Sequence, residues 1–150
     1  MSYFKINDKC IETTKQHISL KQISELIKAN QLKFSSEPMY SAECIEDFLL
    51  GIANTRVIVT EDEEGNFEIL SNKMFVFSLL EFVVNKNRGI SKVPTINELN
   101  NSNFDKLENI LQRKLQRVMF TFLIISLKDT SQNVIEEIKN KISSYGAYYA

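Results

Sequence analysis

The residues Ser71, Asn72 and Lys73 lie between a β-rich segment and an apolar segment in the sequence EGNFEILSNKMFVFSLLEF, residues 64–82. The pattern predicts a strand, a polar break and a helix, and many α/β enzymes place their chemistry at such a junction. Backbone N–H groups at a helix N-terminus favour anions, and Lys73 would add a positive charge for a phosphate. The structural alternative is that Ser71 or Asn72 caps the helix while Phe75 packs in the core.

Other residues that could do chemistry are few. The chain has two cysteines, Cys10 and Cys44, and one histidine, His17, with no CxxC motif or Cys/His cluster, so a zinc site is not expected. Cys44 falls on the apolar face of a predicted helix and is interpreted as a small buried hydrophobe. A Cys-His nucleophile pair would need His17, and nothing in the sequence places it beside either thiol.

Local motifs for catalysis or metal binding are also missing from the sequence. It contains no G-x-S-x-G, H-E-x-x-H or P-loop pattern. The acidic run from Glu61 to Glu64 is interpreted as a solvated hairpin turn, because a metal cage needs converging ligands at loop-specific spacing. We therefore expect no cofactor, no metal and no catalytic residue.

The length, the N-terminal sequence and the net charge limit the classes of protein to which the chain can belong. The chain has 150 residues, which predicts a single domain over residues 1–150. The N-terminus has no apolar signal-peptide core, so we expect a cytoplasmic protein without a membrane anchor. With a net charge of −1, nucleic-acid binding is expected to be weak or absent. The basic residues are 14 Lys and 4 Arg, a bias typical of AT-rich genes in low-GC bacteria, their phages or large viruses.

The periodicity of apolar residues predicts alternating helices and strands. Ser19 and Gln22 have capping-box spacing at the start of the first helix. Ser41 is expected to cap the second helix, with Cys44, Ile45, Phe48 and Leu49 buried and Glu46 facing solvent. The predicted strands are 3–6, the two arms of a hairpin at 55–70, and 118–127. The predicted helices are 19–30, 41–52, 72–86, 105–118 and 131–144.

Two features of this order decide the predicted fold class. The apolar run at 118–127 is continuous, which is typical of a strand covered on both faces. The segment 87–104 is polar and rich in asparagine, and we expect a long mobile loop with one helical turn. Together the elements predict an α+β fold: a single compact domain with a small mixed β-sheet and packed helices.

From about residue 18 to residue 146, the order of elements resembles a known family. The segments that carry the resemblance are FSSEPMYS at 34–41, CIEDFLLGI at 44–52 and LSNKMFVFSLLEF at 70–82. In these segments the chain is similar to the ParB/sulfiredoxin-like domain at the N-terminus of GmrSD-type restriction endonucleases, which carries an Asp-Gly-Gln-Gln-Arg motif. The resemblance implies a ParB/sulfiredoxin-like scaffold with helices packed on the sheet.

The resemblance keeps the framework of the family and loses its chemical groups. Ser71, Asn72, Lys73, Met74 and Phe75 occupy the Asp, Gly, Gln, Gln and Arg positions of the motif. In the extended segment, Ser35 and Ser36 replace a Gln and an Arg, and Tyr40 stands in for a Trp. The family motif is thought to bind a nucleoside triphosphate and support its hydrolysis. Serine cannot hold a cation as a carboxylate does, and phenylalanine cannot form a bidentate contact with phosphate.

The resemblance therefore implies a degenerate domain without enzymatic activity, a pseudoenzyme whose pocket positions Ser35, Ser36, Ser71, Asn72 and Lys73 are vestigial. We expect a non-catalytic binding or regulatory protein, such as an inhibitor or decoy in conflict between phage and host restriction systems. The alternative is a nucleotide-binding subunit of a DNA restriction nuclease, completed by a partner chain.

The basic residues Arg113, Lys114 and Arg117 are interpreted as a solvated helix face.

A protein without chemistry must work through a surface, and surfaces that bind proteins are enriched in aromatic anchors. Two candidates stand out in the sequence. One is the pair Met39 and Tyr40, and the other is the C-terminal tail with Tyr145, Tyr148 and Tyr149. A protein partner is expected, and the simplest arrangement for the tail is a symmetric homodimer. The structural alternative is that Tyr40 packs and the tail is disordered.

Overall fold

The protein is described here by a computed structural model that covers residues 2–6, 9–128 and 130–144. Within these residues the chain forms one mixed sheet of six strands in the order β1-β2-β6-β4-β5-β3. The strands are β1 (Ser2–Ile6), β2 (Lys9–Ser19), β3 (Leu32–Phe34), β4 (Arg56–Glu61), β5 (Phe67–Ile69) and β6 (Met119–Ser126). The helices are α1 (Leu20–Lys28), α2 (Ala42–Leu49), α3 (Lys73–Leu79), α4 (Asn109–Gln116) and α5 (Gln132–Ser144). The predicted α+β class with a mixed sheet is confirmed.

Strands β2 and β3 are not among the predicted strands, and the long strand β2 does most to make the sheet larger than expected. It runs antiparallel to both β1 and β6 and hands the chain directly to α1 at Ser19. Its two buried apolar residues, Ile11 and Ile18, are an odd number of positions apart and so face opposite sides of the sheet. No period-two apolar pattern therefore marks the strand.

The first helix begins as predicted. The Ser19 hydroxyl accepts the Gln22 N–H at 3.2 Å, and the Gln22 side chain accepts the Ser19 N–H at 2.8 Å, which completes a capping box. Asn30 follows the helix with φ of 58°, the left-handed conformation that asparagine tolerates at a helix end. These local interactions turn the chain from β2 through α1 into β3.

The main core lies on one face of the sheet, beneath α1 to α4. It is built by alternate residues of the central strands, including Val57, Val59, Phe120 and Phe122, and by the buried sides of the helices. Helix α3 continues as a π-helical turn over Leu80–Val84. A π-helical turn is a rare local widening that proteins often place at functional sites.

The prediction that β6 is covered on both faces is wrong for most of its length. Phe120, Phe122 and Ile124 are buried in the main core, while Thr121 and Leu123 on the other face are partly exposed. Within the described part of the chain, the second face is covered only at the end of the strand, where Ile125 packs against the cluster that includes Val134 and Ile138 of α5. That helix contributes the predicted apolar residues, of which Val134 and Ile138 are fully buried.

The long polar segment 87–104 packs against the domain instead of extending from it. It contains one 3-10 turn at Asn97–Leu99 and leads into a second at Phe104–Lys106, and its apolar side chains Ile90, Val93 and Leu99 are buried. The prediction that Glu46 faces solvent is also wrong, because Glu46 is 2% exposed and accepts hydrogen bonds from the backbone N–H groups of Thr95 and Ile96. A carboxylate on α2 thus holds the loop.

Candidate functional site

The junction before α3 uses its polar side chains to join strands. Asn72 adopts φ of 56°, and its side-chain amide donates to the carbonyls of Asn54 at 2.6 Å and Arg56 at 3.2 Å. The Ser71 hydroxyl is buried and accepts the N–H of Ile58 at 2.8 Å. The prediction that one of these side chains caps the helix is wrong, since Asn72 holds the N-cap position without a side-chain cap bond.

Lys73 is the junction residue whose charge faces the surface. Its Nζ donates to the hydroxyl of Ser36 at 2.6 Å and to the hydroxyl of Ser35 at 3.1 Å. Both serines are exposed, whereas Lys73 is half-buried. The structure therefore brings together three of the sequence-predicted pocket residues, one cation with two hydroxyls, while Ser71 and Asn72 point into the strand contacts.

Phe75, which the resemblance aligns with the arginine of the family motif, is part of the core. Phe75 is 5% exposed and lies between Phe48, with ring centroids 6.4 Å apart, and Phe120, at 5.7 Å. Met74 is partly exposed. The aromatic contacts stabilise the packing of α3 against α2 and β6. A guanidinium at this position would have to be desolvated within that aromatic cluster.

Tyr40 packs along the domain edge, while its neighbour Met39 is 70% exposed. The Tyr40 hydroxyl donates to the Gly89 carbonyl at 3.0 Å, and the Arg88 guanidinium lies 5.8 Å from the centre of its ring. Burial raises the pKa of Tyr40 to about 12, and the charge of Arg88 opposes that rise. Of the two predicted anchors, only Met39 presents most of its surface to solvent.

Sequence reasoning missed a polar cluster beside the π-helical turn. Ser78 is fully buried, and its hydroxyl accepts the Ser41 N–H at 2.9 Å, so Ser41 begins α2 through its backbone instead of its side chain. Burial raises the pKa of the Cys44 thiol, and hydrogen bonding with Ser78 partly offsets that effect. One carboxylate oxygen of Glu81, Oε2, is buried without a partner in the described residues. No local sequence pattern indicates this cluster, because Ser41 and Ser78 meet through a contact between residues 37 positions apart.

The remaining sequence candidates lie apart from the junction. His17 Nδ1 lies 3.2 Å from the Thr121 hydroxyl on the open face of the sheet, whereas Cys44 packs against the main core. Among the described residues, no group of three or more His, Cys, Asp and Glu side chains is arranged to hold a metal ion. The tail residues Tyr145, Tyr148 and Tyr149 lie outside the described residues.

The basic residues of α4 are exposed, as predicted. Arg113 and Arg117 reach solvent, whereas the Nζ of Lys114 donates to the Leu49 carbonyl at 2.8 Å and so ties α4 to the end of α2. Large apolar side chains are exposed beside this contact, with Ile52 at 71% and Ile110 at 72%. This region therefore combines exposed apolar groups with positive charge.

Comparison of the chain with protein-family models, with curated proteins and with solved structures found no match. No helix within the described ranges is long and apolar enough to cross a membrane. The assignment to the ParB/sulfiredoxin-like family therefore stays a prediction from the order of elements.

Proposed function

We propose that the protein is a non-catalytic binding or regulatory protein on a degenerate ParB/sulfiredoxin-like scaffold. The observation that carries the proposal is the burial of Phe75 between Phe48 and Phe120. Phosphoryl transfer depends on positive charge and a metal placed around the reacting phosphate. An aromatic side chain in the core cannot supply that charge, and the Ser71 hydroxyl beside it is already bonded to Ile58.

The loss of these groups accounts for the expected lack of turnover. Removing a single positioned donor in an active site typically costs about 3 kcal/mol of transition-state stabilisation, roughly a hundredfold or more in rate. Here both the carboxylate and the guanidinium are replaced. The purified protein with Mg²⁺ is therefore expected to release no phosphate from ATP or GTP above a no-protein control. Turnover that Lys73→Ala removes would contradict the proposal.

The proposed role is that of an inhibitor or decoy toward a restriction nuclease of the host. Support for this step is the resemblance of the framework, since a copy without chemistry can still occupy a partner surface. The test is a DNA-cleavage assay with a purified GmrSD-type nuclease, to which the protein is added in increasing ratio. We expect a dose-dependent loss of cleavage, and no effect from the same amount of heat-unfolded protein. Unchanged cleavage together with no complex by size exclusion would contradict the inhibitor role.

A second candidate is a nucleotide-binding subunit that a partner chain completes. The observation that favours it is the convergence of Lys73 Nζ on Ser35 and Ser36 at the surface. A lysine and hydroxyl groups are suitable contacts for a phosphate. The lysine would act as a point charge and would not form the two parallel hydrogen bonds that an arginine forms. Calorimetric titration with ATP would test it, with Lys73→Met expected to abolish binding and Lys33→Met as the matched control.

A further inference from the structure

Large aliphatic side chains are exposed at the end of α2 and on the outer side of α4. Ile52 is 71% exposed, Ile110 is 72% exposed and Leu50 is 43% exposed. They are three of the five large apolar residues that are exposed in the described part of the chain. Apolar residues scattered singly over a surface need no explanation, whereas apolar residues grouped within a polar rim mark an interaction site.

One side chain joins the two parts of this group. The Nζ of Lys114, on α4, donates to the carbonyl of Leu49 at the end of α2, at 2.8 Å. Leu50 and Ile52 follow directly on that carbonyl, and Ile110 precedes Lys114 by one turn on the same face of α4. The surface, called here the α2–α4 patch, consists of Leu50, Ile52, Ile110, Arg113, Lys114 and Arg117.

All charged side chains of the patch are positive. Arg113, Lys114 and Arg117 are exposed and lie at helical spacing along α4. Residues 50–55 and 109–118 contain these three cations and no acidic residue, although the whole chain has a net charge of −1. The patch is therefore a local concentration of positive charge beside aliphatic groups.

The two guanidinium groups of the patch have no partner within the described residues. Asp47 and Glu108 flank the patch along the chain, and neither forms an ion pair with Arg113 or Arg117. The chain contains 14 Lys and only 4 Arg, so half of its arginines lie in this patch. Arginine binds a carboxylate through two parallel hydrogen bonds, which lysine cannot do, and arginine is enriched at protein interfaces.

These features fit a protein segment with carboxylates better than a nucleic acid or a lipid surface. The apolar side chains of the patch are aliphatic, so they offer no ring on which a nucleic-acid base could stack. A fluid lipid surface attracts lysine and arginine alike, and would not account for arginines in a chain that otherwise uses lysine. A protein partner can supply both aliphatic side chains and carboxylates at fixed positions.

We infer that the α2–α4 patch binds an acidic amphipathic segment of a protein partner. Aliphatic side chains of that segment cover Ile52 and Ile110, and its carboxylates pair with Arg113 and Arg117. This inference rests on the proposed binding function and names the chemistry of its partner. It assigns a role to the basic side of α4 and uses neither Lys73 nor the core around α3.

The test is a titration of the ¹⁵N-labelled protein with a capped peptide of three Glu-Leu-Leu-Glu repeats, followed by amide chemical shifts. In a helix the leucines of this peptide form one face and the glutamates border it. We expect saturable shifts at residues 50–55 and 110–118, and weaker binding as the salt concentration rises. A peptide of three Lys-Leu-Leu-Lys repeats has the same leucines with the opposite charge, and should produce no saturable shifts.

Two variants with matched controls separate the patch from a general surface effect. Ile52→Ser removes an exposed apolar side chain and Arg113→Gln removes a charge, and each should weaken binding of the acidic peptide about fivefold. Both residues are exposed, so the fold should be kept, which the amide spectrum of each free variant checks. Met39→Ser, at a residue 70% exposed before the start of α2, and Lys21→Gln, on α1, should leave the affinity unchanged.

Several results would overturn the inference. These are an absence of saturable shifts with the acidic peptide, and an affinity that Ile52→Ser or Arg113→Gln leaves unchanged. Tighter binding of a short oligothymidylate, or of vesicles of phosphatidylserine and phosphatidylcholine, would show a different occupant, as would self-association of the free protein that Ile52→Ser abolishes. The nuclease and phosphate-release assays use neither this peptide nor these variants, so failure here leaves the proposed function to its own tests.

Discussion

Glu46 Oε2, on α2, accepts a 2.6 Å hydrogen bond from the backbone N–H of Ile96, fifty residues later in the chain. The same oxygen accepts the Thr95 N–H at 3.0 Å. Glu46→Ala would leave two amide groups without their acceptor, and we expect a loss of about 3 kcal/mol in the free energy of unfolding. Chemical denaturation measures this loss. Glu46→Gln keeps an acceptor oxygen and should lose less, while exposed Glu43→Ala should change stability by less than about 0.5 kcal/mol.

A destabilised Glu46→Ala protein whose loop amides stay protected from hydrogen exchange would contradict the role of Glu46 in holding the loop. The expected result is faster exchange confined to Ile90–Ser102, because the isolated bridge between Ile90 and Ser102 depends on the same packing.

The position of Phe75 in the core predicts a large cost for its truncation. Phe75→Ala would remove contacts with Phe48 and Phe120 and leave a cavity, which typically costs about 3–5 kcal/mol. Thermal and urea unfolding measure the change, with Met39→Ala as an exposed control. A cost below about 1 kcal/mol would mean that Phe75 does not contribute to the core as described, and the main support for a non-catalytic site would be lost.

The raised pKa of Tyr40 predicts that the free energy of unfolding decreases at alkaline pH. Its pKa in the folded protein is raised to about 12, mainly by burial, whereas an unfolded tyrosine has an ordinary pKa of about 10. Below pH of about 10 both states keep the proton, and the contribution of Tyr40 to stability is fully present. As pH rises from about 10 to 12 the unfolded state loses its proton first, so stability falls.

Tyr40→Phe should remove this part of the pH dependence while leaving the contributions of other groups. Urea unfolding of both proteins at about pH 9 and about pH 11 gives the comparison. The free energy of unfolding of the wild type, taken relative to that of Tyr40→Phe, should be lower at the higher pH. A difference that stays constant would show that the Tyr40 phenol titrates alike in both states.

We expect the Cys44 thiol to be alkylated slowly in the folded protein. Burial raises its pKa, and the thiolate is the reactive form, so the folded protein should react with iodoacetamide more slowly than the unfolded chain. A Cys10→Ser variant isolates the Cys44 signal for mass spectrometry. Labelling in buffer as fast as in urea would contradict the partly buried position of Cys44.

Elements set by neighbouring residues could be predicted from the sequence. The capping box at Ser19 and the turn at Gly65, which has φ of 83°, act over a few residues, so their patterns mark α1 and the β4–β5 hairpin. What the sequence could not predict depends on distant partners. Strand β2 is polar and is defined by pairing with β6, about a hundred residues later, and Glu46 is buried because a remote loop supplies its donors.

In the candidate site, too, features set by neighbouring residues could be predicted and contacts with distant residues could not. The alignment of residue types around Ser71 predicted the loss of catalytic groups, and local spacing placed Lys73 at the start of a helix. Local spacing could not predict that Lys73 would donate hydrogen bonds to Ser35 and Ser36, since those residues belong to the segment after β3. Nor could it predict the α2–α4 patch, which Lys114 joins through a contact between residues 65 positions apart.

The C-terminal tail gives the last prediction, because its tyrosines follow directly on α5. Helix α5 is described as far as Ser144 and is held by Val134 and Ile138 and by the ion pair of Lys139 with Glu68. Since these contacts precede the tail, truncation after Ser144 should leave the domain folded. If Tyr145, Tyr148 and Tyr149 join a symmetric homodimer, the truncated protein should show half the mass by light scattering at equal concentration. Replacing the three tyrosines with serine in the full chain is the matched control and should have the same effect. A truncated protein that keeps its assembly state and its capture of the nuclease would exclude the tail as the interface.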